Sequence, residues 1–98
     1  MIDSFFKPTS VAVIGASTNP SKLGYAVVKN LIDCGFAKNG KVYPINPSAS
    51  QILGLTAYPS VNQVPEPIDL AVVVIPYTHV PEALRECGEK GIGAVIVI

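Results

Sequence analysis

The stretch Val11–Gly15 is apolar at every position up to its closing glycine, and this run constrains the fold more than any other feature. A strand with one face in water alternates apolar and polar residues, whereas a strand covered on both faces is a continuous apolar run. Similar runs occur at Lys41–Ile45 after its initial lysine, at Asp69–Ile75 after its initial acid, and at Ala94–Ile98. These four runs predict strands of a parallel sheet with helices on both sides.

Two segments between the strands have helical spacing, with apolar residues recurring every three or four positions. The first predicted core face consists of Leu23, Ala26, Val27, Leu31 and Cys34. The second consists of Val80, Ala83, Leu84 and Cys87. Gly35 and Gly91 follow these faces and predict the ends of the two helices.

The predicted elements alternate as strand, helix, strand, a turn-rich connection, strand, helix and strand, and the connection holds a short strand near Thr56–Tyr58. This order predicts a doubly wound α/β sheet. If the strands are numbered along the chain, right-handed crossovers place them in the order 3-2-1-4-5 across the sheet. Ligands of such sheets bind beyond the carboxyl ends of the strands, where the order reverses. The Gly15 loop, Asn46-Pro47 and Pro76-Tyr77 are predicted to line that crevice.

Charge and composition exclude several classes of partner. Seven basic and seven acidic side chains leave a formal net charge of zero, which gives no electrostatic footprint for nucleic acid or an anionic membrane. No apolar run approaches the roughly 20 residues of a membrane span, and no signal-peptide pattern is present. Cys34 and Cys87 lack C-x-x-C spacing and are predicted to be buried thiols, and no cluster has metal-ligand spacing. We expect residues 1–98 to form one domain of a cytoplasmic protein.

The loop after the first strand has the chemistry of a phosphate site. Gly15 supplies a turn without a Cβ atom, and the helix that starts near Lys22 directs its free N–H groups and positive dipole end toward the crevice. The additional donors are the hydroxyl groups of Ser17, Thr18 and Ser21 and the ammonium group of Lys22. Gly24 allows the helix to pack close to the sheet or to a ligand. The alternative is that the polar side chains of this loop merely cap the helix.

Two absences narrow the predicted ligand. A typical NAD site has an acid at the end of the second strand to bind the ribose hydroxyls, and here Asn46 occupies that place. The Gly15 loop also lacks the Walker pattern G-x-x-x-x-G-K-[ST]. We therefore expect a phosphate-bearing, adenine-containing ligand that is neither NAD nor an ATP hydrolysed at this site.

The segments FFKPTSVAVIGASTNPSKLGYAVVKNL, VYPINP, DLAVVVIP and CGEKG carry a family resemblance over essentially the whole chain. The sequence resembles the N-terminal CoA-binding domain of ADP-forming acyl-CoA synthetases, which is similar to the succinyl-CoA synthetase alpha subunit. The resemblance implies a Rossmann-like fold. It implies that the loop Gly15–Gly24, including Ala16, holds the CoA phosphates, that Asn46 and Pro47 flank the adenosine, and that Ile75 and Pro76 line the pantetheine path. These proteins often carry lysine after the Asn-Pro pair, where this chain has Ser48.

The resemblance also implies an activity: the reversible conversion of acyl-CoA, ADP and phosphate into acid, CoA and ATP, through an acyl phosphate and a phosphohistidine. ATP, ADP and Mg²⁺ would bind to domains outside this chain. We expect these 98 residues alone to catalyse nothing, because they offer no nucleophile, base or metal set. The last strand ends at Ile98 without a covering helix. We therefore expect a sheet truncated after its fifth strand, as the front part of a longer protein.

The expected partners are CoA and the remaining domains or a second subunit of the synthetase, with a homo-oligomer left open. Two alternatives to the ligase are kept. One is a stand-alone module that binds CoA or a nucleotide, and the other is the regulatory domain of a protein lysine acetyltransferase. His79 and Tyr77 lie near the crevice without an assigned role. Two alternatives are open for each of these residues: a position at the rim with ordinary packing, or contact with the ligand.

Overall fold

The computed structural model describes residues 8–98. Its strands are β1 (Ser10–Ile14), β2 (Lys41–Ile45), β3 (Gln51–Ile52), β4 (Leu55–Thr56), β5 (Leu70–Val73) and β6 (Ala94–Val97). Its α-helices are α1 (Leu23–Asp33), α2 (Phe36–Asn39) and α3 (Val80–Lys90), and single 3₁₀ turns occupy Val61–Gln63 and Tyr77–His79. No helix within residues 8–98 is long and apolar enough to cross a membrane.

Four strands form a parallel sheet in the order β2-β1-β5-β6. Val11 of β1 is paired with Val42 on one side and Leu70 on the other, and Leu70 is paired with Ala94 of β6. From β1 the chain adds β2 on one side of the sheet and then β5 and β6 on the other, as the predicted order 3-2-1-4-5 requires. The doubly wound fold is therefore confirmed.

Both faces of the sheet are covered, which explains the continuous apolar run in β1. Val11 and Val13 pack with Val28 of α1 in one cluster. Ala12 and Ile14 pack with residues of α3 in a second cluster. Each of these four β1 side chains is buried, because alternate residues of a strand point to opposite, equally covered faces.

The predicted strand near Thr56–Tyr58 is reduced to a single bridge beside β2, in which Tyr58 is paired with Ile45. The Tyr58 N–H donates to the Pro44 carbonyl at 3.0 Å, and the Asn46 N–H donates to the Tyr58 carbonyl at 2.9 Å. Extending this ladder backward would need an N–H group from Pro44, which proline lacks. The residues just before Tyr58 instead form a short antiparallel hairpin of β3 and β4.

The predicted core face of α1 is wrong in part. Val28 is completely buried and Gly24 is also buried, whereas Leu23 is 54% exposed and Cys34 is exposed. At about 100° per residue, Leu23 and Cys34 lie roughly 140° and 120° away from Val28 around the helix. The prediction of two buried thiols therefore holds for Cys87 only, and burial raises the pKa of that thiol.

Helix α3 and strand β6 complete the described fold. Ala83 and Cys87 face the core as predicted, whereas Leu84 is 43% exposed, and α3 ends at Gly91 as predicted. Strand β6 is hydrogen-bonded to β5 on one side only, and the apolar residues Ile96, Val97 and Ile98 are exposed. The described sheet therefore has an apolar edge at β6.

Candidate functional site

A cleft of about 550 Å³ opens at the carboxyl ends of β1, β2 and β5, where the strand order reverses. The residues that line it are Gly15, Ala16, Ser17, Lys22, Leu23, Gly24, Asn46, Pro47, Val74, Ile75, Pro76 and Ile98. The cleft thus brings together every predicted site residue except Thr18, Ser21 and Tyr77. It adds Leu23, Val74 and Ile98, which the sequence analysis did not assign to the site.

Gly15 turns the chain from β1 into the cleft with a φ of +99°, a conformation that favours glycine. Its N–H donates to the Ile45 carbonyl at 3.3 Å, which continues the pairing of β1 with β2 by one residue. A Cβ atom on Gly15 would collide with the carbonyl group of Val74. The turn therefore requires glycine both for its backbone angle and for the close approach of the chain after β5.

Gly24 lies in the first turn of α1 and is buried. A Cβ atom on Gly24 would collide with the carbonyl group of Gly15. Gly24 was predicted to allow α1 to pack close to the sheet or to a ligand. The structure shows the first of these, packing against the end of the sheet. The contact brings the start of α1 directly over the Gly15 turn.

The loop between Gly15 and α1 is folded by its own side chains. The Asn19 N–H donates to Ser17 Oγ at 3.0 Å, while the N–H and Oγ of Ser21 donate to Asn19 Oδ1 at 3.0 and 2.8 Å. Such local bonds are typical of Ser and Asn in turns. The Ser21 hydroxyl is engaged within the loop, and Thr18 is exposed outside the cleft lining, so neither of these two predicted residues reaches the cleft.

The amino terminus of α1 has no side-chain cap. Its N-cap residue is Lys22, in an extended conformation, and no side chain accepts a capping hydrogen bond there. The alternative in which this loop serves only to cap the helix is therefore wrong. The N–H groups of Lys22 and Tyr25 donate to the carbonyls of Asn19 and Lys22, so within residues 8–98 those of Leu23 and Gly24 are the ones without a partner at the helix start. The positive end of the α1 dipole favours an anion there, and the Lys22 side chain lines the same cleft.

Asn46 joins the two loops that form the polar side of the cleft. Its Nδ2 donates to the Ala16 carbonyl at 2.9 Å, and its Oδ1 accepts the N–H groups of Ser48 and Ala49 at 2.8 and 2.9 Å. This side chain therefore positions the Gly15 loop against the turn after β2. Its oxygen is already engaged, so it does not replace the ribose-binding acid of an NAD site.

The other wall of the cleft is apolar. Leu23, Val74, Ile75, Pro76 and Ile98 line it. Leu23 was predicted for the core but is the first residue of α1 after its N-cap, which places it at the cleft opening. Its position directly after the predicted phosphate-binding lysine is the sequence signal that could have identified it.

Tyr77 and His79 lie in the 3₁₀ turn that follows the cleft residue Pro76. Tyr77 is 85% exposed and His79 is exposed, and neither lines the cleft. His79 is the N-cap residue of α3, and its side chain makes no capping hydrogen bond. Both residues are thus at the rim in the described structure.

Shifted pKa values occur at the opposite end of the sheet, outside the cleft. The hydroxyl of Tyr43 donates to Glu66, which Lys41 also contacts. Burial and the Glu66 carboxylate raise the pKa of Tyr43, while the bonds from Tyr43 and Lys41 lower the pKa of Glu66. No group of three His, Cys, Asp or Glu side chains that could hold a metal is present within residues 8–98. The start of α1, Lys22 and the apolar wall give the cleft the features of a binding site for an anion with an apolar portion.

Residues 9–98 match the family model described as a CoA binding domain. This match covers more than half of the chain, so the chain belongs to the CoA-binding domain family. Its cleft and uncapped helix occupy the place where ligands of doubly wound sheets bind.

Individual relatives agree with this family. The chain is 48% identical over its full length to the alpha subunit of acetate–CoA ligase [ADP-forming] II of Pyrococcus furiosus, of which it spans 21%. A structure of a dinucleotide-forming acetyl-coenzyme A synthetase 1 of Candidatus Korarchaeum cryptofilum, in complex with phosphate and ADP, is 42% identical with a TM-score of 0.89. It covers 94% of this chain, and this chain covers 19% of it.

A smaller relative is a conserved hypothetical protein of Pyrococcus furiosus, at 32% identity and a TM-score of 0.79. The match covers 91% of this chain and 73% of that protein. The chain thus spans about a fifth of the two synthetase proteins and most of the smaller one.

Proposed function

We propose that CoA binds in the cleft with its pyrophosphate at the amino terminus of α1. The observation that carries this proposal is the uncapped helix start, with Lys22 as its N-cap residue, opening into a cleft that also contains Gly15, Ala16 and Ser17. An anion is favoured there by free N–H groups, by the helix dipole and by the ammonium group. Thr18 and Ser21 would contribute through the fold of the loop.

The remaining parts of CoA would follow the other cleft residues. Pro47 and the Asn46-anchored turn would flank the adenosine, and Ile75 and Pro76 would line the pantetheine path opposite Leu23. Burying the pantetheine carbon atoms against these apolar side chains would be favourable at about 25 cal/mol per Å². The result would be a CoA molecule whose thiol is held at the apolar end of the cleft.

We further propose that this domain belongs to a longer ADP-forming acid–CoA ligase in the cytoplasm. The identity with the Pyrococcus furiosus ligase subunit supports this proposal. The domain would bind CoA and place its thiol, while ATP, ADP and Mg²⁺ would bind to other domains or a second subunit. A homo-oligomer is the alternative assembly.

The test of the ligase is ATP formation by the full-length protein from acetyl-CoA, ADP and phosphate. We expect ATP to appear only when all three are present, with free CoA released in equal amount. Lys22→Ala should raise the KM for acetyl-CoA, while Lys29→Ala, on the same helix outside the cleft, should not. CoA binding without ATP formation from any of a panel of acyl-CoA substrates would contradict the ligase and leave the binding site standing.

The second candidate is a stand-alone CoA-binding module. The hypothetical protein of Pyrococcus furiosus favours it, because this chain covers 73% of that protein, which leaves little room for further domains. The full gene sequence separates the two candidates. An early stop codon supports the module, whereas downstream ATP-binding and phosphohistidine domains support the ligase.

A further inference from the structure

The carboxamide of Asn46 makes contacts of opposite kinds on its two sides. On one side its Nδ2 donates at 2.9 Å to the carbonyl of Ala16, which lies 30 residues away in the chain. On the other side its Oδ1 accepts the N–H groups of Ser48 and Ala49 at 2.8 and 2.9 Å. Because one side offers a carbonyl and the other offers two N–H groups, a single orientation of the amide satisfies all three partners.

The bond from Asn46 fixes the peptide group between Ala16 and Ser17. This peptide is trans, and in a trans peptide the C=O and N–H groups point in opposite directions. A carbonyl held by Asn46 therefore also sets the direction of the Ser17 N–H. Since Ala16 and Ser17 both line the cleft, Asn46 controls the backbone of the cleft from the turn after β2, whether or not it touches a ligand.

An acid at this position cannot make both kinds of contact at neutral pH. An ionised carboxylate has two acceptor oxygens and no donor. One oxygen would keep the N–H groups of Ser48 and Ala49, while the other would meet the carbonyl oxygen of Ala16 at hydrogen-bond distance and repel it. A protonated carboxyl group, in contrast, carries one O–H donor and reproduces the pattern of the amide.

We propose that Asn46 is a positioning residue, which clamps the Gly15 loop to the turn after β2 and gives the cleft its shape for CoA. This inference rests on the proposed CoA binding and specifies how Asn46 contributes to it. It also gives the preference for CoA over NAD a structural cause, because the acid that binds ribose in NAD sites would here release the Gly15 loop. A single Asn46→Asp substitution therefore weakens CoA binding without creating an NAD site.

The experiment compares the full-length wild type with Asn46→Asp, Asn46→Ala and Asn30→Asp, by amide hydrogen exchange without ligand and by calorimetry with CoA and NAD. Asn30 is exposed on α1 outside the cleft lining, so its variant controls for the same change of charge and should behave as the wild type. At pH 7 we expect Asn46→Asp to increase exchange in residues 15–19 only, and Asn46→Ala to increase it in residues 48–49 as well. Both Asn46 variants should lose at least about fivefold in CoA affinity, and neither should bind NAD.

Acidification to pH 4 separates the positioning role from a general loss of stability. Protonation of the introduced carboxyl group restores a donor to the Ala16 carbonyl, so Asn46→Asp should recover loop protection and CoA affinity relative to the wild type at the same pH. Asn46→Ala has no group to protonate and should not recover. Lys22, the charged side chain of the cleft lining within residues 8–98, is present in every variant and does not cause a difference between them.

Exchange at the wild-type rate in residues 15–19 of Asn46→Asp at pH 7 would overturn the inference. NAD binding by that variant would overturn it too, because Asn46 would then act through the ligand, and so would a loss of CoA affinity that persists at pH 4. Failure of the wild type to bind CoA would instead contradict the proposed function. The exchange measurements without ligand would still decide whether Asn46 positions the loop.

Discussion

Two glycines determine how closely the cleft can be assembled. Gly15 turns the chain at a positive φ beneath the carbonyl of Val74, and Gly24 rests on the carbonyl of Gly15. The three backbone segments are therefore in contact at positions where a single added carbon atom would have no room. The start of α1, which we propose to bind the phosphates, depends on this contact for its position.

Gly24→Ala should destabilise the domain by about 1–3 kcal/mol, because the new Cβ atom meets backbone that no rotamer change can move. Gly88→Ala is the matched control: a Cβ atom there meets nothing within 4 Å, in the exposed last turns of α3. Alanine in place of that glycine should stabilise the helix by roughly 0.5–1 kcal/mol. Urea unfolding of both variants measures the two effects, and equal changes would contradict the packing argument.

Lys22→Ala should weaken CoA binding by about 10- to 150-fold with little change in Tm, since the exposed side chain contributes no core packing. The control is Lys29→Ala, which removes an exposed lysine whose Nζ lies 2.7 Å from Asp33. Breaking that solvent-exposed pair should change the stability little. Calorimetry and thermal unfolding of both variants decide the matter, and similar affinities for the two would exclude the phosphate role of Lys22.

At the scale of elements, the hydrophobic pattern was sufficient for the four strands of the sheet, and the glycines after the helical segments were sufficient for the ends of α1 and α3. Strands β1, β2 and β5 are mostly buried, whereas β6 is apolar but exposed at its last residues. The pattern was not sufficient for the orientation of α1. The helix packs through its smallest residue, Gly24, and a scale that rewards large apolar side chains assigned Leu23 to the core instead. The pattern also did not predict that the strand near Thr56–Tyr58 is reduced to a single bridge, because this depends on the N–H group that Pro44 lacks.

Asp69 joins the amino ends of β1 and β5, because its Oδ2 accepts the N–H and Oγ1 of Thr9 at 2.8 and 2.7 Å. These bonds from Thr9 lower the pKa of Asp69 below its ordinary value of 3.8. A lowered pKa in the folded state stabilises the fold above the unfolded pKa, and this contribution is lost as the pH falls through the folded pKa. The sensitive range is therefore below about pH 4.

Asp69→Asn should lower the urea midpoint at pH 7, and its difference from the wild type should shrink toward pH 3. Asp33→Asn, at an exposed acid in the last turn of α1, controls for the loss of one negative charge and should change the midpoint little. Urea titrations of the three proteins at several pH values provide the comparison. A difference between Asp69→Asn and wild type that stays constant down to pH 3 would show that the carboxylate charge is not involved.

At the scale of the whole molecule, the site depends on chain segments that are far apart in sequence. The cleft combines the Gly15 loop, the turn after β2, the segment after β5 and Ile98. Topology alone predicted that the first three meet, since the carboxyl ends of parallel strands share one edge. The side chains that fill the cleft were harder to predict, because whether a loop residue faces inward depends on local bonds such as those of Asn19 with Ser17 and Ser21.

The apolar edge at β6 leads us to propose that further chain covers it in the intact protein. A protein extended by about one βα unit, some 30 residues, should have a higher Tm than residues 1–98 alone. The exposed side chains of Ile96, Val97 and Ile98 supply the apolar area for this gain. A Gly/Ser extension of equal length is the control, and no gain of the natural extension over it would contradict the proposal.

The central claim is that this doubly wound domain binds CoA and not NAD, because an uncapped helix start offers a phosphate site while Asn46 occupies the place of the ribose-binding acid. Competitive calorimetry of CoA against NAD on the full-length protein tests it most directly. We predict that CoA binds and that NAD at equal concentration leaves the CoA isotherm unchanged. Tighter binding of NAD than of CoA would contradict the account.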